Sequence, residues 1–216
     1  MESISSATFN QLVQSSTVLE KDGHGEKVLL TEDGLIVKIF RRKRLLSGAL
    51  FYPYVRRFSD NARRLQQRDI LTVDIVTLAR CRQTKRDLVW YRPIEGQTFR
   101  DHCQQHGMDE IVKTFARFVA QLHQKGILFR SIHWGNIIVT DRLDLGLIDI
   151  ADIRFYRRPL TVRQRQRNFR HMLSYVSDKD SFMTCNENFW PCYQDAAQLT
   201  TSQCQQLKDS LLDINL

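Results

Sequence analysis

The sequence predicts an α+β fold: a small antiparallel sheet carrying one helix over residues 1–95, followed by a mainly helical half over residues 96–216. Three observations predict it. Short β-branched runs crowd the first part of the chain, a Phe58/Ala62/Leu65 stripe interrupts them at helical spacing, and beyond Gly96 the apolar residues shift to a 3.6-residue period.

Taken in order, Thr17–Glu20, Lys27–Leu30 and Leu35–Phe40 read as three strands of a meander. Lys21-Asp-Gly-His-Gly-Glu separates the first two, and the Asp33-Gly34 pair between the last two is a tight-hairpin signal, because both residue types tolerate the turn's backbone. A basic stretch leads into the helix of Phe58, Ala62 and Leu65. Thr72–Ala79 and Asp87–Tyr91 complete five strands, and a hinge is expected near Tyr91–Gly96. Ile111, Phe115, Phe118, Val119 and Leu122 then recur as one face of a helix that Gly126 closes. Two short strands, Asn136–Thr140 and Leu145–Asp149, precede a mostly helical tail from Thr161. The chain has no internal repeat and no low-complexity linker.

Composition narrows the class. At 42% hydrophobic and 26% charged residues, with only 9 Gly and 4 Pro, the chain has the balance of a folded globular protein rather than a disordered one. No apolar run approaches the roughly 18 residues of a membrane helix. Met1, Glu2 and the Ser-rich residues after them lack the basic and apolar regions of a secretory signal. Five cysteines is an odd count, and none form a CxxC pair, which argues against a disulfide framework or zinc knuckle. A soluble protein of a reducing compartment, the cytoplasm, is expected.

The net charge of +8 is unevenly placed. Residues 41–86 hold 13 basic and 3 acidic side chains, and residues 154–170 hold 7 basic and none acidic. Such patches suit a polyanionic partner such as nucleic acid, an anionic membrane surface or a phosphorylated glycolipid; they equally suit solvated helix faces. Thin aromatic interleaving and the lack of any nucleic-acid motif argue against nucleic acid.

The most specific segment is Gly126-Ile-Leu-Phe-Arg-Ser-Ile-His-Trp-Gly-Asn-Ile-Ile-Val, with Asp149 in Leu-Ile-Asp-Ile-Ala thirteen residues after Asn136. A loop feeding Asn136 into one strand and a second strand delivering Asp149 can converge two hard oxygen donors on magnesium, with phosphate oxygens completing its shell. This segment resembles the catalytic loop and metal-binding Asp of the protein-kinase-like superfamily. The match is closest to the small-molecule branch, whose loop reads H-G-D-x-H-x-x-N, at His133, Gly135 and Asn136. Lys38 in Ile-Val-Lys-Ile sits where that family places the phosphate-holding lysine. Gly23 and Gly25 fall where its phosphate-covering loop belongs, and Tyr91-Arg-Pro-Ile-Glu95-Gly resembles the hinge at the adenine edge. Leu122-His123 resembles the helix end that leads into the loop. Over about residues 17 to 176 the chain is most similar to the compact bacterial lipopolysaccharide-core (heptose and Kdo) kinases and the related toluene-tolerance proteins.

The resemblance implies a two-lobed, protein-kinase-like fold with a reduced C-lobe, and ATP with Mg2+ as cofactors. Lys38, Gly23, Gly25, Glu95 and Asn61 would bind the nucleotide, Asn136 and Asp149 the metal, and Arg130, Ser131 and His133 would form the catalytic loop. The implied activity is transfer of phosphate to a hydroxyl of a lipopolysaccharide-core sugar or similar envelope glycolipid. The implied place is the cytoplasm, at the inner membrane where the basic patches would meet anionic glycolipid.

The departures bear on activity. The family's catalytic Asp falls on Ser131, and a neutral hydroxyl is no carboxylate base. His133, two residues on, is either a substitute base or a brace of the loop. The helix Glu that pairs with the lysine is absent. Asn61 shares a face with Phe58 and Leu65 and is the first candidate for its place, with Asp60 a less well-faced one. Asp149 is followed by Ile-Ala rather than Phe-Gly. A pseudokinase that scaffolds or regulates cell-envelope biogenesis or stress tolerance is therefore the alternative.

Overall fold

Seven helices and mixed parallel and antiparallel strands make the chain α+β over residues 1–42 and 52–212, those that the computed structural model describes. These fall into two units: residues 1–42, 52–67 and 72–94, and residues 68–71 and 95–212. Lys43 and Arg44 of the predicted basic run lie outside the described residues.

The first unit comprises β1 (Glu2–Ile4), α1 (Ser6–Gln14), β2 (Thr17–Asp22), β3 (Gly25–Leu30), β4 (Ile36–Arg41), α2 (Tyr54–Gln66), β6 (Asp74–Cys81) and β7 (Arg86–Arg92); the two-residue β5 (Leu71–Thr72) before β6 falls on the boundary between the units and is not part of this unit's sheet. Its sheet has the order β1-β6-β7-β4-β3-β2. Period-two alternation decides what each face buries. Leu29, Val37, Ile39, Cys81 and Leu88 share one face with Phe9 of α1, and Leu12 and Val13 pack beside them. Lys38 and Phe40 alternate to the other face. There Phe58 of α2 meets the rings of Phe40 at 6.0 Å and Tyr91 at 5.4 Å.

This corrects the expectation of five antiparallel strands and one helix in two respects. The described sheet has a sixth strand, β1, which runs parallel to β6 with Glu2 opposite Ala79. A second helix, α1, covers the face opposite α2. Three residues of strand are too short to show a period, and a parallel pairing across more than seventy residues is a tertiary event. The signal for α1 was present: Ser5 Oγ caps it by accepting from the Thr8 amide at 3.0 Å, and Phe9, Leu12 and Val13 recur at i, i+3, i+4.

The second unit is built from β8 (Gln97–Thr98), α3 (Phe99–His106), α4 (Val112–Gln124), β9 (Ile127–Phe129), β10 (Ile137–Val139), β11 (Leu145–Leu147), β12 (Ile153–Phe155), α5 (Val162–Met172), α6 (Val176–Ala196) and α7 (Thr201–Leu212). Strand β10 pairs antiparallel with β11 and β8, and β12 with β9. The stripe predicted over Ile111–Leu122 is the buried face of α4. Phe115 stacks on Phe99 at 4.3 Å and lies 5.7 Å from Phe189 of α6, so aromatic rings form much of the core. Gly126 ends α4 at φ +68, and a Cβ there would lie 2.5 Å from Tyr156 O and 2.6 Å from Arg158 O, so only glycine fits.

A buried chain of hydrogen bonds ties these elements together. Asn168 of α5 donates from Nδ2 to Phe129 O at 2.6 Å, which turns its Oδ1 to His123 Nε2 at 2.8 Å. His123 therefore carries its proton on Nε2 and accepts at Nδ1 from the Tyr193 hydroxyl at 2.6 Å. Arg165, only 2% exposed, donates to that same hydroxyl and to Leu160 O. Arg165 thus belongs to the interior, although it lies in the basic stretch 154–170 that the sequence offers to an anionic partner. Burial, with the Arg165 charge beside it, pushes His123 down from 6.5 to about 3, whereas burial pushes Tyr193 up to about 12.

Below about pH 6.5 the unfolded chain protonates His123 and the folded chain does not, so this contribution is complete above that pH and is lost as pH falls toward 3. Urea unfolding at pH 7, 6 and 5 should show wild type losing about 1 kcal/mol more per pH unit below pH 6 than His123→Gln, which has no proton to gain.

Candidate functional site

Between β9 and β10 the chain runs through residues 130–136, a loop with almost no repetitive structure of its own. Its last residues, Trp134–Asn136, form one 3₁₀ turn, closed by the Asn136 amide donating to His133 O at 2.9 Å. Asn136 is buried, and its Nδ2 donates to Ser131 O at 2.8 Å. That bond cross-links the two ends of the turn and directs the opposite side of the amide, Oδ1, away from the loop backbone.

The β10–β11 register then fixes where Asp149 falls. Ile137 pairs with Leu147, and the Ile148 amide donates to Asn136 O at 3.0 Å. Asp149, the next residue, therefore emerges at the same end of the hairpin as Asn136. Its backbone is left-handed, φ 51 and ψ 41, immediately before a second 3₁₀ turn at Ile150–Asp152. A residue with a Cβ pays about 1 kcal/mol or more for that conformation, and such strain concentrates at functional sites. Two oxygen-bearing side chains at one hairpin end fit a hard divalent cation whose other positions are filled by phosphate and water. Among the described residues no group of three or more His, Cys, Asp or Glu side chains is placed to hold a metal ion.

The loop is held from beneath by Asp178, in the first turn of α6. Its side chain is fully buried. Arg100 of α3 engages it through two nitrogens, Nε at 2.7 Å and a terminal nitrogen at 2.9 Å, and the Trp134 amide donates to it at 3.2 Å. The carboxylate hydrogen bond in turn raises the Arg100 pKa, fixing its charge. The remaining terminal nitrogen of Arg100 reaches the loop: a Cβ on Gly135 would lie 3.1 Å from it and 3.2 Å from His133 Nδ1, so glycine lets these cationic and imidazole groups meet the backbone. Tyr175 covers the pair, 4.7 Å above the Arg100 guanidinium and edge-on to His133 at 5.2 Å. Sequence reasoning missed both Asp178 and Arg100, because an acid in a polar first turn reads as a helix-dipole partner.

The remaining predicted residues fall as follows. Arg130 is braced: its amide donates to Asp152 O at 3.2 Å and its side chain lies 3.3 Å from Asp152 Oδ1, a half-exposed pair of small energetic weight. His133 is half-buried, and its Nδ1 is buried without a hydrogen-bond partner among the described residues. Burial and the Arg100 charge lower its pKa from 6.5, opposed by Asp178 and Asp149, so it is a neutral imidazole at pH 7. In the first unit, Lys38 lies on the sheet face that α2 covers, and Asn61 is on the buried side of α2 one turn beyond Phe58. Asp60 points elsewhere, accepting from the Tyr52 hydroxyl at 2.6 Å and pairing with Arg63. Gly23 and Gly25 form the tip of the β2–β3 hairpin, where Arg86 donates to His24 O at 2.8 Å. Glu95 is exposed between β7 and β8. No protein-family model matches the chain, and no curated protein sequence matches it.

Removing Asp178 strands a partly buried guanidinium and frees the Trp134 amide. Asp178→Ala should cost about 3 kcal/mol in denaturant unfolding, and Arg100→Met added to it should cost less than the two single changes combined.

Proposed function

We propose that this chain is a protein-kinase-like nucleotide-binding protein that transfers the γ-phosphoryl group of Mg-ATP to a hydroxyl of an anionic envelope glycolipid such as a lipopolysaccharide-core sugar. The observation that carries the reading is the hairpin end where Asn136, locked through Nδ2 to Ser131 O, stands beside the left-handed Asp149. Lys38, on the α2 side of the first sheet, supplies a cation for phosphate oxygens. Asn136 and Asp149 supply the oxygens that hold magnesium, which when bound neutralises charge on the transferring phosphate. Arg100 and Arg130 flank the same loop, each paired with a carboxylate, Asp178 and Asp152.

Supporting an anionic acceptor or membrane surface, the outward side of α2 exposes Arg56, Arg63 and Arg64. Each such residue near an anionic leaflet contributes about 1 kcal/mol of attraction. Among the described residues no helix is long and apolar enough to cross a membrane, so the attachment proposed is peripheral, from the cytoplasmic side.

A second reading rests on Ser131. No carboxylate stands at the base position, and His133 is held neutral with a depressed pKa, a weaker base than a free imidazole. Positioning and electrostatics supply most of the catalysis in phosphoryl transfer, so a weak base leaves a slow enzyme. If transfer has been lost altogether, the nucleotide site serves a scaffold.

Calorimetry with ATP, with and without Mg2+, tests the nucleotide site. Wild type should bind ATP in a Mg2+-dependent manner, and Asp149→Asn, which tolerates the left-handed backbone but lacks the charge, should bind at least about tenfold more weakly. No binding at millimolar ATP overturns the proposal. Where ATP binds, Ser131→Asp should raise acceptor phosphorylation about a hundredfold if the chain is an enzyme, and leave it at zero if it is a scaffold.

A further inference from the structure

On the second unit, a cavity of about 580 Å3 opens beside α3, β8 and the turn after β10. Apart from Gly96 at the end of the hinge-like segment, none of the residues discussed above as nucleotide, metal or loop residues line it. Its polar lining includes His102 and His106, one helical turn apart on α3, together with Gln97, Glu110 and Asp141. The two imidazole rings lie with centroids 4.9 Å apart. His102 is 5% exposed, yet its Nε2 is buried with no hydrogen-bond partner among the described residues. Its other nitrogen, Nδ1, sits 3.3 Å from Gln97 Nε2.

A buried imidazole nitrogen without a partner costs stability unless something fills its valence. Histidines at i and i+4 present their nitrogens on one face of a helix, the spacing by which helices chelate borderline metals. Gln97 Nε2 faces His102 Nδ1 as the side chain stands; rotating that amide by half a turn brings its oxygen to accept the Nδ1 proton and leaves the His102 Nε2 lone pair for a metal, the usual arrangement behind a metal-bound histidine. Glu110, exposed and close enough to act electrostatically on His102, supplies a carboxylate able to swing in. Cys103, the intervening thiol, is pushed up to about 12 by burial and interacts with Cys185 and Asp178 instead.

We propose that His102 and His106 anchor a divalent transition-metal ion of the Zn2+ type, with Gln97 orienting His102 and Glu110 turning in as a third donor. Imidazole nitrogen with carboxylate selects such ions over magnesium. Among the described residues no three donors already converge, so the proposal has the third ligand arrive with the metal. The proposal is independent of any phosphoryl-transfer chemistry.

The test is titration of the untagged, chelator-treated full chain with Co2+, followed by visible absorption and by calorimetry, and repeated with Zn2+. One equivalent should bind without a thiolate-to-metal charge-transfer band. His106→Ala, at an exposed helix end where the fold has little to lose, should weaken binding at least about tenfold, and Gln97→Ala should do so about tenfold. His102→Ala should abolish it. No uptake at 100 μM Co2+ (about that concentration being the weakest affinity such a pair offers) overturns the proposal. So does uptake unchanged in His106→Ala, or a thiolate band that cysteine alkylation removes.

Discussion

A carboxylate taken fully out of water costs several kcal/mol unless a cation and further donors surround it, and Asp178 meets that condition with the Arg100 fork and the Trp134 amide. The bonds join α3, the loop 130–136 and α6, three segments far apart in sequence. The loop cannot shift without uncovering the carboxylate, so its own backbone needs little regular structure to be well placed. Asn136 and Ser131 inherit their positions from this contact, and through the Ile148 amide so does Asp149.

The chain running from Arg165 through Tyr193, His123 and Asn168 to Phe129 O does the same for the strand that feeds the loop. Each donor in it finds an acceptor, so a polar path through an aromatic core becomes a specifying feature rather than a defect. Its central imidazole is structural: enclosed and neutral, it offers no proton to solvent. The two polar hubs meet the loop from opposite ends, one at β9 and one at Trp134.

Around the loop the charges are paired: Arg100 meets Asp178 and Arg130 meets Asp152. His133 is neutral, and Asp149 stands at the hairpin end next to the loop. With a neutral hydroxyl at Ser131, that position is where the two proposed readings, enzyme and scaffold, part.

The sequence by itself determined the α+β class, the positions of β2, β3, β4, β6 and β7, the α2 and α4 stripes, and the adjacency of Asn136 to a later Asp149 in a strand-loop-strand pattern. These are encoded by periods of two and 3.6 and by turn residues, all local. Only the tertiary structure decided the rest. Strand β1 exists by pairing with β6, and β8, β9 and β12 are two or three residues each, too short to carry a period. Arg165 and Asp178 read as surface charges, yet each is buried because a partner many residues away neutralises or accepts from it. Burial of a polar group is a property of the pair, and no single stretch of sequence contains both members.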